Sequence, residues 1–298
     1  MKISLLTLTL LTVCQPALSK IKSDYEGTIE VGALYNSELV VEEIDQYSPS
    51  GDTARYLSLD LGGEWTFDDR FNAKAGFNVS DSDYHDSDTF DLTLQRIYGD
   101  LSYEFTELTI GVSQHDINAE LADNDFLDMS RSSFYLSKLF NNSIFVRTEA
   151  INIDKTFDTL PDRNADNDAI GVDTYFFYNQ AKSFFSVGYS SEKERASASE
   201  YSYDGDNYRA TFSNKFGGEH SQRIQLQWRY YDRDYKSEFP VINTARSDSR
   251  NTLKLVWDFY FTPQFALSST LENTESSSNF ESADYTANEV SLLFRVEL

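Results

Sequence analysis

A chain of 298 residues with 49 acidic against 25 basic side chains carries a formal charge of −24. That balance excludes nucleic acid as a partner, because binding a phosphate backbone needs clustered Lys and Arg. A single cysteine, three histidines and a mean hydropathy of −0.49 exclude a disulfide framework, a thiolate metal site and a bundle of transmembrane helices, while 22 Phe, 19 Tyr and 3 Trp are too many for a disordered acidic chain.

Residues 1–19 open with Met1-Lys2, continue as an apolar run from Ile3 to Val13 and end in Ala17-Leu18-Ser19. This is the layout of an export signal cleaved after Ser19. A lipoprotein signal acylated at Cys14 is the rival, and bulky Val13 before the cysteine argues against it. The domain is then 20–298, an exported chain without a thiol, for which a closed hydrogen-bonded sheet is a source of stability.

From Tyr25 the pattern has period two. Tyr25, Gly27, Ile29, Val31, Ala33 and Tyr35 share one face, with Glu26, Thr28 and Glu30 on the other. Leu57, Leu59, Leu61, Trp65 and Phe67 repeat it against Ser58, Asp60, Gly62 and Glu64. Copies follow at 71–79, 108–112, 170–178, 185–189 and 208–216, and then at 224–230, 253–261, 265–271 and 290–298. Between Leu92 and Phe105 the apolar parity changes from even to odd, which reads as a bulge. The pieces at 134–140 and 144–153 are mixed.

Connections alternate between short and long. The short ones are 68–70, 106–107, 141–142, 179–182, 217–219 and 262–264. The long ones lie near 36–53, 81–89, 115–131, 154–168, 194–206, 232–248 and 275–285. Six short and seven long connections join fourteen strands. The expected fold is all-β: a transmembrane antiparallel up-and-down barrel of about 14 strands, long loops outside the cell and short turns in the periplasm. Aromatic residues near strand ends suit interfacial girdles. The second face carries Asp60, Glu64, Lys74, Asp173, Arg209, Arg223, Arg229, Lys254, Asp258, Glu272, Glu289 and Arg295. Such a face cannot be a sandwich core, because burying those charges is too costly, and a water-filled lumen removes the cost. These twelve are the candidate pore-lining and selectivity residues. Basic Arg209, Arg223, Arg229 and Lys254 would oppose acidic Glu26, Glu30, Asp60, Glu64 and Glu289 across the pore, unless the charges pair with one another.

The residues look like those of a Gram-negative outer-membrane barrel of porin type. Within that class, Arg229-Tyr230-Tyr231-Asp232-Arg233, Arg246-Ser247-Asp248, Ser278-Asn279 and Tyr285 to Val290 resemble the C-terminal barrel of the surface lipoprotein assembly modifier family. That resemblance implies a factor moving a lipoprotein or glycan to the cell surface. The helical repeats which that family places before its barrel have no counterpart between Lys20 and Asp24.

Catalysis is not expected. His220-Ser221-Gln222 lies at a short turn, and Asp81, Asp83, His85 and Asp86 with His115 and Asp116 read as an acidic solvated loop rather than a protease-like cluster. Asp81-x-Asp83, Asp123-x-Asp125, Asp166-x-Asp168 and Asp204-x-Asp206 offer oxygen ligands for weak divalent binding, without the full spacing of a calcium loop. The resulting expectation is a passive, porin-like channel in the Gram-negative outer membrane, with no cofactor. Its partners are the bilayer and lipopolysaccharide, the barrel assembly machinery, and small hydrophilic solutes or ions. The acidic excess falls mostly in the long connections, as a crown on the outer rim.

Overall fold

The computed structural model describes residues 21–218 and 220–298; the export signal expected at 1–19 lies outside them. The chain begins with β1 (Ile21–Asn36), a small hairpin of β2 (Leu39–Val41) and β3 (Gln46–Ser48), then β4 (Asp52–Phe67), β5 (Phe71–Tyr84) and β6 (Leu92–Glu104). It continues through β7 (Thr109–Leu121), β8 (Asn124–Phe140), β9 (Ile144–Phe157), β10 (Ala165–Tyr178) and β11 (Ser183–Ala196). The last strands are β12 (Tyr203–Phe216), β13 (Gln222–Phe239), β14 (Thr244–Tyr260), β15 (Phe265–Ser278) and β16 (Tyr285–Glu297). All but β2 and β3 form one closed antiparallel barrel of fourteen strands, each paired with its chain neighbour. β1 closes the ring against β16, with Thr28 opposite Glu297 and Asn36 opposite Glu289.

Register fixes which side chains face out. Leu61, Phe77 and Ile97 lie in one row of the ladder, as do Leu226, Leu255 and Leu271. All of these but the half-buried Phe77 belong to the large exposed apolar set, which also includes Val31, Trp228, Trp257, Val290 and Phe294. On β4 the outward apolar positions run from Phe67 to Leu57. That is about 33 Å of strand, or about 25 Å of height once tilted, which matches a bilayer's hydrocarbon thickness. Aromatic pairs gather toward the short-turn end: Phe67 with Phe71 at 5.7 Å, Tyr103 with Phe105 at 4.7 Å and Phe259 with Phe261 at 5.1 Å.

Barrel strands of 13 to 18 residues exceed the roughly 9–11 needed to cross a bilayer. The surplus corrects two expected loops. Residues 115–131 are not a long loop but the ends of β7 and β8, joined at Ala122 and Asp123, both with positive φ. Likewise most of 232–248 is strand, with β13 and β14 joined by 240–243. The acidic rim is therefore largely hydrogen-bonded hairpin. The bulge expected between Leu92 and Phe105 is also absent, since β6 pairs without a register shift on both sides. Shifts occur instead at Ala119/Glu120 and between Asp234 and Glu238.

The parity change in β6 has another cause. Leu92 and Leu94 face inward and pack against a cluster of Leu39, Val41, Phe90, Ala119, Phe126, Leu127 and Phe157. Leu39 and Val41 belong to the first long connection, which folds into the mouth of the barrel. Its apolar edge is buried (Leu39 is 1% exposed), worth about 1.5–3 kcal/mol for a side chain of this size. The loop reverses at Asp45 (φ 55°), a left-handed conformation that Asp tolerates better than most residues. It rejoins the wall at Gly51, where a Cβ would come within 2.6 Å of the Asn36 carbonyl oxygen.

Candidate functional site

The twelve charged residues expected in the lumen all occupy inward register positions, and neighbouring strands pair most of them. Lys74 reaches Glu64 at 3.0 Å, Arg96 reaches Asp60 at 3.5 Å and Lys254 reaches Glu272 at 3.0 Å. Arg209 forks onto Asp173 through Nε (2.7 Å) and a terminal nitrogen (2.5 Å). Asp258, fully buried, takes Arg223 at 2.6 Å and Arg295 at 3.3 Å, and Arg295 reaches Glu30 at 2.7 Å. Charges therefore neutralise along the wall rather than facing each other as two walls. Arg229 forms no ion pair among the described residues. With Glu289, it borders a cavity of about 450 Å³ beneath the inner loop.

Inward glycines let long side chains lie flat. A Cβ at Gly76 would stand 2.3 Å from the Tyr98 ring, and one at Gly111 would stand 2.2 Å from the Tyr135 ring. Tyr135 donates to Asp100 (2.9 Å) and carries the Arg147 guanidinium on its face at 3.7 Å.

Opposite the apolar edge of the loop lies a basin that sequence reasoning missed. Asp45 accepts from both terminal nitrogens of Arg246 (2.8 and 3.0 Å) and from Arg163 (2.6 Å). Arg163 also donates to the Glu43 carbonyl at 2.8 Å. Glu42 accepts from the Tyr231 hydroxyl (2.7 Å), from Arg233 (3.4 Å) and from Arg250. Tyrosine faces support the guanidiniums: Arg233 on Tyr231 (4.3 Å) and Tyr203 (4.6 Å), Arg250 on Tyr285 (5.4 Å), Arg246 on Tyr235 (4.9 Å). Cation–π contact of this kind is worth about 0.5–2 kcal/mol each. Asp248 orients Arg246 (2.9 Å) and is held by Tyr235 (3.2 Å) and Ser278 (2.6 Å).

Electrostatics of the loop follow from this seating. Burial works to raise the Glu42 carboxyl, but Arg250, Arg233 and the Tyr231 hydroxyl outweigh it and hold the group below its ordinary value. Asp45 is likewise lowered, its burial overcome by Arg246 and Arg163. Glu43 is raised, by burial and then by the charge of Glu42.

The sequence signal for the basin was available. Arg229, Tyr231, Arg233 and Tyr235 alternate with Tyr230, Asp232 and Asp234, so period two continues past the point where a loop was expected. Separate pieces of the last third of the chain meet here, through Tyr231, Arg233, Arg246, Asp248, Ser278 and Tyr285.

Other candidates separate. His115 faces inward, stacked on Tyr98 at 5.8 Å, whereas Asp116 takes the outward parity and accepts from Gln114. The protease-like cluster therefore does not assemble. His220 lies against Phe259 at 5.8 Å. Asp81 accepts from Thr93, Asp83 pairs with Arg55, and Asp168 accepts from Asn152 and Arg195. Among the described residues, no group of three His, Cys, Asp or Glu is placed to hold a metal ion.

No family model and no curated protein matches the chain. Solved structures do. An anion-selective porin from Comamonas acidovorans is similar with a TM-score of 0.56 at 10% identity, over 94% of this chain and 100% of that one. OmpT, an outer membrane protein of Vibrio cholerae, is similar with a TM-score of 0.52 at 8% identity, over 93% and 98%. At such identities the likeness is one of fold, and that shared fold is the closed porin-type barrel.

Proposed function

We propose that this protein is an outer-membrane channel through which small hydrophilic solutes diffuse passively, narrowed at its outer mouth by residues 37–51. One observation carries the reading: below the apolar cluster that seats the inner loop, the inner wall is lined by charged side chains in pairs and by serines, with water-accessible space beside Arg229, Lys254, Glu272 and Glu289. In this reading the twelve inward charges line the route, the outward belt faces lipid, and lipopolysaccharide and the barrel assembly machinery are its partners in the outer membrane. The export signal before residue 20 belongs to the same proposal. No cofactor enters.

The test is planar-bilayer recording of the refolded protein. Stable single-channel steps are expected, with conductance rising when the inner loop is released. A folded barrel that stays silent with the loop released overturns the reading. A second reading, an assembly or secretion factor for a surface lipoprotein or glycan, is favoured by the meeting of the resembling residues around Arg233 and Arg246. Cross-linking of a lipoprotein to the outer mouth would support it.

A further inference from the structure

We propose that the arginine and tyrosine basin is a binding site for hydroxylated dicarboxylates, and that Glu42 and Asp45 occupy its two anion seats until such a solute displaces them. The proposal rests on the channel reading, since the ligand arrives through the outer mouth.

Charge gives the ligand's valence. Arg163, Arg233, Arg246 and Arg250 face two carboxylates of the wall itself, Asp248 (2.7 Å from Arg246) and Glu192 (3.4 Å from Arg233). Without the loop the basin holds two uncompensated positive charges, which Glu42 and Asp45 neutralise in the docked state. A dianion matches that count and a monoanion does not.

Geometry gives the spacing. Glu42 begins the single 3-10 turn 42–44 and Asp45 caps it, its N–H returning to the Glu42 carbonyl at 3.2 Å. Three residues of such a turn rise about 6 Å, so the two seats suit acid groups at opposite ends of a short carbon chain. The Asp45 seat is a two-pronged guanidinium fork, the arrangement that favours a planar carboxylate over a lone ammonium contact.

Spare donors give the hydroxyls. The Nε atom of Arg250 is buried without a hydrogen-bond partner, and that of Arg233 has only a loose contact with Glu192 at 3.4 Å, beside a cavity of about 140 Å³ that both arginines line. Buried donors of this kind are costly to leave unmade. A solute with hydroxyls between its two acid groups would meet them, where the loop side chains do not. The tyrosine faces hold the guanidiniums in place independently of the loop, so the seats remain formed when it leaves.

Calorimetric titration of the refolded protein tests this, with glucarate, gluconate, glutarate and glucose as probes. Glucarate is expected to bind at least about tenfold tighter than gluconate, which lacks the second acid, and tighter than glutarate, which lacks the hydroxyls. The double variant Glu42→Gln/Asp45→Asn is expected to bind glucarate about tenfold tighter than the wild type, because the tethered competitor is gone. Arg246→Gln, and separately Arg163→Gln outside the strands, should weaken it in both backgrounds. The faster gel mobility of an unheated barrel shows that each variant is folded. Equal binding of gluconate and glucarate overturns the proposal, as does unchanged affinity in the double variant. Parallel bilayer recordings separate the two readings. Selective binding to a silent barrel leaves the site standing and removes the channel, whereas conduction without dicarboxylate preference removes the site alone.

Discussion

Glu43 sits between two anchored carboxyls and makes no ion pair among the described residues. It touches water of the mouth, yet the ring of strands displaces most solvent around it, and burial followed by the charge of Glu42 raises its carboxyl. A carboxyl raised on docking opposes docking at neutral pH and stops opposing it as pH falls through the raised value. Glu42 and Asp45 have the opposite sign. Lowered on docking, they contribute fully above their ordinary values, and the contribution is lost only as pH falls through the lowered ones. The loop should therefore hold most tightly in mild acid and release below the ordinary Glu value of 4.5. Conductance recorded against pH is expected to pass through a minimum. Glu43→Gln should abolish the neutral-to-mild-acid limb, lower neutral conductance by a factor of about two, and leave the low-pH release in place. A monotonic profile would contradict this assignment. Inward parity at this scale was readable from period two alone, because a wall between lipid and water separates the two faces cleanly at Asp60, Asp173 or Lys254. Which charge met which was not readable, since pairing depends on the register between strands.

The inner loop shows what a pattern of polarity cannot convey. Leu39-Val40-Val41 is too short to signal a strand, and nothing local says that its partners are Phe90 of the connection after β5, Phe126 of β8 and Phe157 at the end of β9. The same contact turned Leu92 and Leu94 inward and imitated a bulge. In β7 and β8 the signal failed for a different reason. Above the bilayer both faces of a strand meet water or polar neighbours, as Gln114, Asn118, Ser130 and Asp128 do through mutual hydrogen bonds, so the alternation fades while the strand continues. The apolar edge of the loop makes a direct prediction. Leu39→Ala should cost about 2–4 kcal/mol of docking free energy. A Glu-specific protease should then cut at Glu42 or Glu43, sites that the docked wild-type loop protects. Equal resistance of the two proteins would show that the charged anchors suffice without the apolar edge.

For the whole molecule, the vulnerable line is the seam where the first strand meets the last. β1 and β16 pair only from Thr28–Glu297 to Asn36–Glu289. Arg295 braces that seam from inside by joining Glu30 on β1 to Asp258 on β14. Removing its charge leaves half-buried Glu30 without its cation, while Asp258 keeps Arg223. Arg295→Met should lose about 1–3 kcal/mol and lower the temperature at which the barrel opens in detergent, as read from the mobility shift on heating. Substituting exposed Arg55, paired with Asp83 on the outer surface, should leave that temperature nearly unchanged.

The position of the basin along the chain also has a bearing on assembly. Its seats come from residue 163 and from 231 to 250, and Tyr285 lies on the final strand, whereas the loop that fills them is made within the first fifty residues. Contacts separated by 118 to 208 residues form late, because the chain between must already be ordered. The early segment waits, its two acids unmatched, until the curved sheet is nearly complete. Capture of those acids would then be among the last events of biogenesis, and protection of Glu42 and Glu43 from cleavage would time when a newly inserted chain has finished folding.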